Sequence, residues 1–207
     1  MLEIFLFVNP VGNVCLEVEK ALMNFAGNQS RKVITHFIPT LNFTIINEYM
    51  QTHDMDPKNL EYRNHMFNVG YEVILDYKAA QFQGNIKARD LLMDLQTRFN
   101  TDFDYSPVIV NELLDKHQID KEMFYADRKR DELRLGFQSD QQIASQMQVT
   151  NTPSAVFMDT RQPESDAAVM LDNVKDFHVF ENVCQQIADN PDLFYREAPS
   201  TPSLRVL

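Results

Sequence analysis

The chain opens on Leu2-Glu3-Ile4-Phe5-Leu6-Phe7-Val8, an apolar run broken only by Glu3 and stopped by Asn9-Pro10. So short a run, apolar on both alternations, predicts a strand covered on both faces. After the turn from Pro10 to Gly12 the period changes. Val14, Val18, Leu22 and Phe25 recur at helical spacing, with Glu17, Glu19, Lys20 and Asn24 mostly turned elsewhere. Asn13 suits the N-cap of this helix and Gly27 its C-cap. Lys32 to Ile38 carries the β-branched content of a second strand, closed by Pro39. A strand, helix, strand unit of this kind winds right-handed and runs its two strands parallel.

From about Asn47 the pattern is helical for roughly a hundred residues. The strongest predicted helices are Tyr71 to Phe82 and Asn85 to Phe99, followed by Pro107 to Lys116, Lys121 to Arg134 and Ser139 to Met147. Strand character returns at Ser154 to Met158 and at Ala167 to Leu171, two segments joined by a polar loop with Pro163 and expected to pair as a hairpin. Phe177, Phe180, Cys184 and Ile187 then line one face of a closing helix that ends near Asp189-Asn190-Pro191. The expected organisation is an α/β fold split by an all-helical insertion. Residues 1–46 form its first part, 47–148 the insertion, 149–190 the returning part, and 191–207 a mobile tail.

Composition agrees with a folded chain and narrows its partners. Of 207 residues, 44% are hydrophobic and 11% aromatic, far from the disordered class. The net charge of −11 repels nucleic acid and anionic lipid headgroups, so basic protein partners fit better. The one basic cluster, Arg128-Lys129-Arg130, lies between Asp127 and Asp131 and reads as a solvated helix face with local charge pairing. No stretch approaches transmembrane length, and Glu3 and Asn9-Pro10 interrupt anything resembling a signal peptide. Two cysteines far apart do not make a disulfide framework, and a reducing cytoplasm is the expected setting.

Candidate chemistry is sparse. His36, His53, His65, His117 and His178 show no ligand spacing with each other or with cysteine, so neither a metal nor a cofactor is expected. Asp102 and Asp104 read as solvated carboxylates, and no glycine-rich phosphate loop or serine elbow is present. Cys184 falls on an apolar stripe and reads as core. The ten methionines, Met50, Met55, Met66, Met93 and Met123 among them, read as core filler before an adaptable groove. Cys15 stands at the start of the first helix, where the dipole favours a thiolate; inert packing is the competing reading.

The order of elements resembles the DsbA-like branch of thioredoxin folds. In that family the first strand leads into Cys-Pro-x-Cys at the start of the first helix. The corresponding stretch here is Phe7-Val8-Asn9-Pro10-Val11-Gly12-Asn13-Val14-Cys15. Gly12 stands where the attacking cysteine would be and Cys15 where the resolving one would be, so Gly12, Asn13, Val14 and Cys15 form a degenerate redox motif. Val149-Thr150-Asn151-Thr152-Pro153-Ser154-Ala155-Val156-Phe157 resembles the family's cis-proline turn. The resemblance implies a cis bond at Pro153, and Thr152 beside Cys15. Within the branch, Leu2 to Leu22, Tyr77 to Phe99 and Phe124 to Phe157 resemble the cytoplasmic adaptors of Gram-positive bacteria that deliver the stress regulator Spx to the ClpXP protease. That likeness implies a non-catalytic protein with an Spx-like regulator and ClpXP as partners. The competing expectation is a dithiol-disulfide isomerase, or a glutathione-dependent relative, working through Cys15 alone. Disulfide exchange starts with an attacking thiolate, and Gly12 supplies none.

Overall fold

The computed structural model describes residues 1–159, 168–190 and the backbone of 204–206. The predicted Pro163 loop and most of the predicted tail lie outside the described residues. The chain runs β1 (Leu2–Val8), α1 (Asn13–Asn28), β2 (Val33–Pro39), α2 (Phe43–Thr52), α3 (Leu60–Gln81) and α4 (Asn85–Asp102). It continues with α5 (Pro107–Lys116), α6 (Lys121–Asp127), α7 (Asp131–Gln146), β3 (Ser154–Asp159), β4 (Ala168–Leu171), α8 (Phe177–Asp189) and β5 (Leu204–Val206). These elements fall into two compact units. One comprises Met1–Val8, Val14–Ile38 and Ala144–Leu207; the other comprises Asn9–Asn13 and Pro39–Ile143.

The first unit holds a sheet of strand order β2-β1-β3-β4-β5. β1 and β3 pair antiparallel from Leu2 opposite Asp159 to Phe7 opposite Ser154. β3 and β4 form an antiparallel pair from Ala155 opposite Leu171 to Met158 opposite Ala168. β4 pairs in turn with β5, Val169 opposite Val206, Met170 opposite Arg205 and Leu171 opposite Leu204. Residues 204–206, expected within a tail, are thus a fifth strand.

Burial along β1 explains why its pattern looked apolar on both alternations. Leu6, Phe7 and Val8 are all fully buried, whereas in the first half Leu2 and Ile4 are buried and Glu3 and Phe5 only partly so. Glu3 accepts a 2.7 Å hydrogen bond from His36 Nε2 on β2, and the Phe5 ring stacks on the same imidazole at 4.6 Å. One end of the strand is covered on both faces and the other on one.

Helix α1 departs from its predicted stripe. Val18, Leu22 and Phe25 are buried, but Val14 is 42% exposed, and Cys15, Leu16 and Glu19 turn inward. The buried arc is simply rotated toward the Cys15 side. Gly27 lies inside the helix, which runs on to Asn28, and it lacks the positive φ of a glycine cap. In α8 the stripe holds at Phe180, Cys184 and Ile187, all fully buried, while Phe177 at its start is only half-buried.

The second unit begins its helices earlier than the pattern suggested. α2 starts at Phe43 because Asn42 caps it, its Oδ1 accepting from Ile45 N at 2.9 Å. α3 starts at Leu60, capped by Asn59 Oδ1 from Tyr62 N at 3.1 Å, and its first turns are polar enough to hide the period. The predicted helix Lys121 to Arg134 is two. α6 ends at Asp127, a turn at Arg128–Arg130 follows, and α7 runs straight through Gly136. Arg128, in this turn, corrects the solvated reading of the basic cluster. Its Nε lies 2.5 Å from Asp76 Oδ1 and its Nη2 2.5 Å from Glu72 Oε2 on α3. Lys129 and Arg130 are exposed as expected, and Arg130 pairs Asp127 and Glu132 near the surface.

Candidate functional site

The stretch from Asn9 to Cys15 begins where β1 ends. Asn9 folds its side chain back so that Oδ1 accepts from Val11 N at 3.1 Å, and its carbonyl accepts from Gly12 N at 3.1 Å. Such an Asx-type turn is what Asn-Pro favours after a strand. Two amides of α4 hold the same turn. Gln96, fully buried, donates Nε2–H to Asn9 O at 3.1 Å, and Asn100 donates Nδ2–H to Val11 O at 3.1 Å. Gly70 of α3 lets the helix backbone approach the turn: a Cβ there would lie 3.4 Å from Pro10 Cγ and 3.1 Å from Leu41 Cδ1. A buried loop carbonyl needs a donor, and α4 supplies two.

Past the turn, Gly12 is buried, Asn13 and Val14 face solvent, and Cys15 sits in the first turn of α1 at 2% exposure. Position 12 therefore offers neither a side chain nor an open surface. One helical turn on, Glu19 is fully buried on the same side as Cys15. Both cysteines are buried, and burial pushes the Cys184 thiol well above its ordinary value.

The Thr152–Pro153 bond is cis. Pro153 is buried and Thr152 half-buried. A short network fixes the strand that follows. Ser154, fully buried, donates its hydroxyl toward Asn151 O at 2.8 Å and Asp172 Oδ1 at 2.9 Å, and accepts from Asn173 N at 3.0 Å. Val174 N donates to Pro153 O at 2.8 Å. Cys15, Thr152 and Pro153 belong to the sheet-bearing unit, while Gly12 and Asn13 belong to the helical one.

The remaining candidates have local partners. His117 meets Asp94 at 2.6 Å, His53 bonds Tyr49 O at 2.9 Å and stacks on its ring, and His178 faces Glu181 at 3.7 Å. Among the described residues no group of three or more His, Cys, Asp or Glu is placed to hold a metal ion. None of their helices is long and apolar enough to cross a membrane. Met50 and Met66 are fully buried core, whereas Met123 is 49% exposed. Sequence reasoning missed the Gln96–Asn100 clamp and the Ser154 network. Neither has a periodic signal; the buried pair Asn9-Pro10 at a strand end was the one available hint.

Comparison with known proteins gives consistent results. The sequence profile of the thioredoxin family matches residues 5–182. A curated relative from Staphylococcus epidermidis, named ClpXP adapter protein SpxH, is 21% identical over 92% of this chain. Its counterpart of the same name from Staphylococcus saprophyticus is 22% identical over 90%. In each case the match covers 66% of the relative's own length. Among solved structures, the thiol-disulfide exchange protein alpha-DsbA2 from Wolbachia pipientis superposes with a TM-score of 0.60 at 12% identity, over 90% of this chain and 81% of that one.

Proposed function

This chain belongs to the thioredoxin family, and from that premise we propose that it works by holding a protein partner rather than by exchanging disulfides. The carrying observation is the burial of Cys15, 2% exposed, together with Gly12, which stands where the family resemblance places the attacking cysteine. Thiol exchange needs an accessible thiolate to begin and a second thiol to resolve the mixed disulfide. The resemblance to the Spx-degradation adaptors, and the relatives named as ClpXP adapters, support a cytoplasmic adaptor. It binds an Spx-like regulator and raises the regulator's concentration at the protease. The net charge of −11 suits a basic partner.

The rival reading is a single-thiol oxidoreductase or isomerase using Cys15, favoured by the likeness to disulfide-exchange folds. One experiment separates them. Purified chain is expected to accelerate ClpXP proteolysis of an Spx-like substrate, to retain most of that effect as Cys15→Ser, and to leave insulin disulfides unreduced. Insulin reduction that is lost in Cys15→Ser would establish the enzyme instead.

A further inference from the structure

The sheet has two edges of unlike character. β2 ends at Pro39, which has no N–H to offer a further strand. On the other side β5 is the outermost strand, and the strand it covers, β4, commits all four side chains to the core: Ala168 is 3% exposed, Val169 and Met170 0%, and Leu171 1%. Outward, β4 therefore presents its backbone, and a row of backbone groups is a template for another strand. That template is occupied by three residues, 204–206, in antiparallel register.

Resting on the reading of this chain as a protein binder, we infer that the outer edge of β4 is a strand-docking site. Residues 204–206 are its exchangeable resident, displaced by an extended partner segment of apolar–basic–apolar sequence. The described register pairs Val169, Met170 and Leu171 with residues 206, 205 and 204, three pairs against the five or six residues of an ordinary strand. An incoming segment that pairs over more than three residues is held by more main-chain bonds. Leu204-Arg205-Val206 supplies the pattern, and the net charge of −11 favours a basic residue at its centre. Main-chain pairing supplies the affinity in this recognition mode, and alternate side chains the specificity. The resident is joined to α8 through residues 191–203, so it competes at a local concentration on the order of millimolar. A partner at lower concentration must pair better, not merely equally.

The test uses the full chain and a fluorescein-labelled peptide with the sequence of residues 198–207, read by anisotropy. A variant with proline at all three resident positions (Leu204→Pro, Arg205→Pro, Val206→Pro) loses every N–H of β5. It is expected to bind the peptide at least tenfold more tightly than the unsubstituted chain does. A peptide N-methylated at the same three amides is expected not to bind. Equal affinity of the two proteins, no binding to either, or equal binding of the methylated peptide overturns the inference. Should the proline variant not fold by circular dichroism, amide exchange in the unsubstituted chain decides. Exchange of 204–206 far faster than that of β3 supports the site, and exchange at the β3 rate overturns it. Peptide binding without acceleration of ClpXP would leave the edge standing and remove the adaptor reading. The reverse result would remove the edge alone.

Discussion

Replacing Arg128 by methionine tests the ionic centre of the helical unit. Asp76 is 1% exposed and receives Arg128 Nε at 2.5 Å and the Tyr105 hydroxyl at 2.7 Å. Burial pushes its carboxyl above the usual range, while Arg128 and Tyr105 pull it back. Removing one partner of a buried pair costs about 3–5 kcal/mol, because the other charge is left uncompensated. The Arg128 side chain is itself 22% exposed, which places the expected loss near the lower end, about 3 kcal/mol. The Glu72 arm, 44% exposed, adds no more than about 1 kcal/mol. In Arg128→Met the folded carboxyl moves still further above its unfolded value. Between those two values the folded chain holds a proton that the unfolded chain has released, so the variant loses stability as pH rises through that window. Urea unfolding should show a smaller deficit at pH 4.5 than at pH 7.5. Adding Asp76→Asn should recover more than half of the loss, since an amide needs no counter-charge and can keep the Tyr105 hydrogen bond. A deficit below about 1 kcal/mol at both pH values, against the 3–5 expected for a broken buried pair, would refute the reasoning. So would a double variant no more stable than the single one.

Four further outcomes follow from the same geometry. Gln96→Leu removes a donor from the Asn9 carbonyl and should cost about 1–3 kcal/mol by thermal or urea unfolding; an unchanged midpoint would mean that the clamp is idle. Gly136→Ala places a Cβ no nearer than 3.9 Å to Lys78 Cδ in mid-helix, and should stabilise the chain by up to about 1 kcal/mol. Iodoacetamide under native conditions should leave Cys15 and Cys184 unlabelled over a time in which the denatured chain takes two labels; prompt native labelling of Cys15 would revive the enzyme reading. The raised Cys184 thiol keeps its proton in the folded state after the unfolded thiol has lost it. Stability should therefore fall above about pH 9 by up to roughly 1.4 kcal/mol per pH unit, a slope that Cys184→Ala should reduce.

What the sequence disclosed follows from where periodicity operates. β1, β3, the β3–β4 pair and α8 were legible because each buries one continuous apolar set. α5 was legible to the residue, since Ser106 and Pro107 mark its start chemically, the serine hydroxyl accepting from Ile109 N. The helix break at Arg128 was not. Arg128, in that break, pairs with Asp76, 52 positions earlier in the chain, and no local pattern carries a contact of that range. The start of α2 was hidden because Phe43-Thr44-Ile45-Ile46 has strand-like composition, and only the Asn42 cap decides otherwise. β5 was invisible for the opposite reason: three residues are too few to show a period. At the candidate site, Gly12 and Cys15 could be found by comparison with a known motif. The outward turn of Val14 and the burial of Glu19 depended on the exact rotation of α1, which the spacing left open by about one position.

The membership of Asn9–Asn13 has a practical meaning for anyone who would trim this protein. Those five residues are spliced between β1 and α1, yet their contacts group them with the helices. Excising 39–143 to obtain a minimal sheet domain would strip the carbonyls of Asn9 and Val11 of the amides that Gln96 and Asn100 supply. The helical segment is thus not cargo that the fold happens to carry. A shortened chain would inherit a loop cut to fit a mould it no longer possesses.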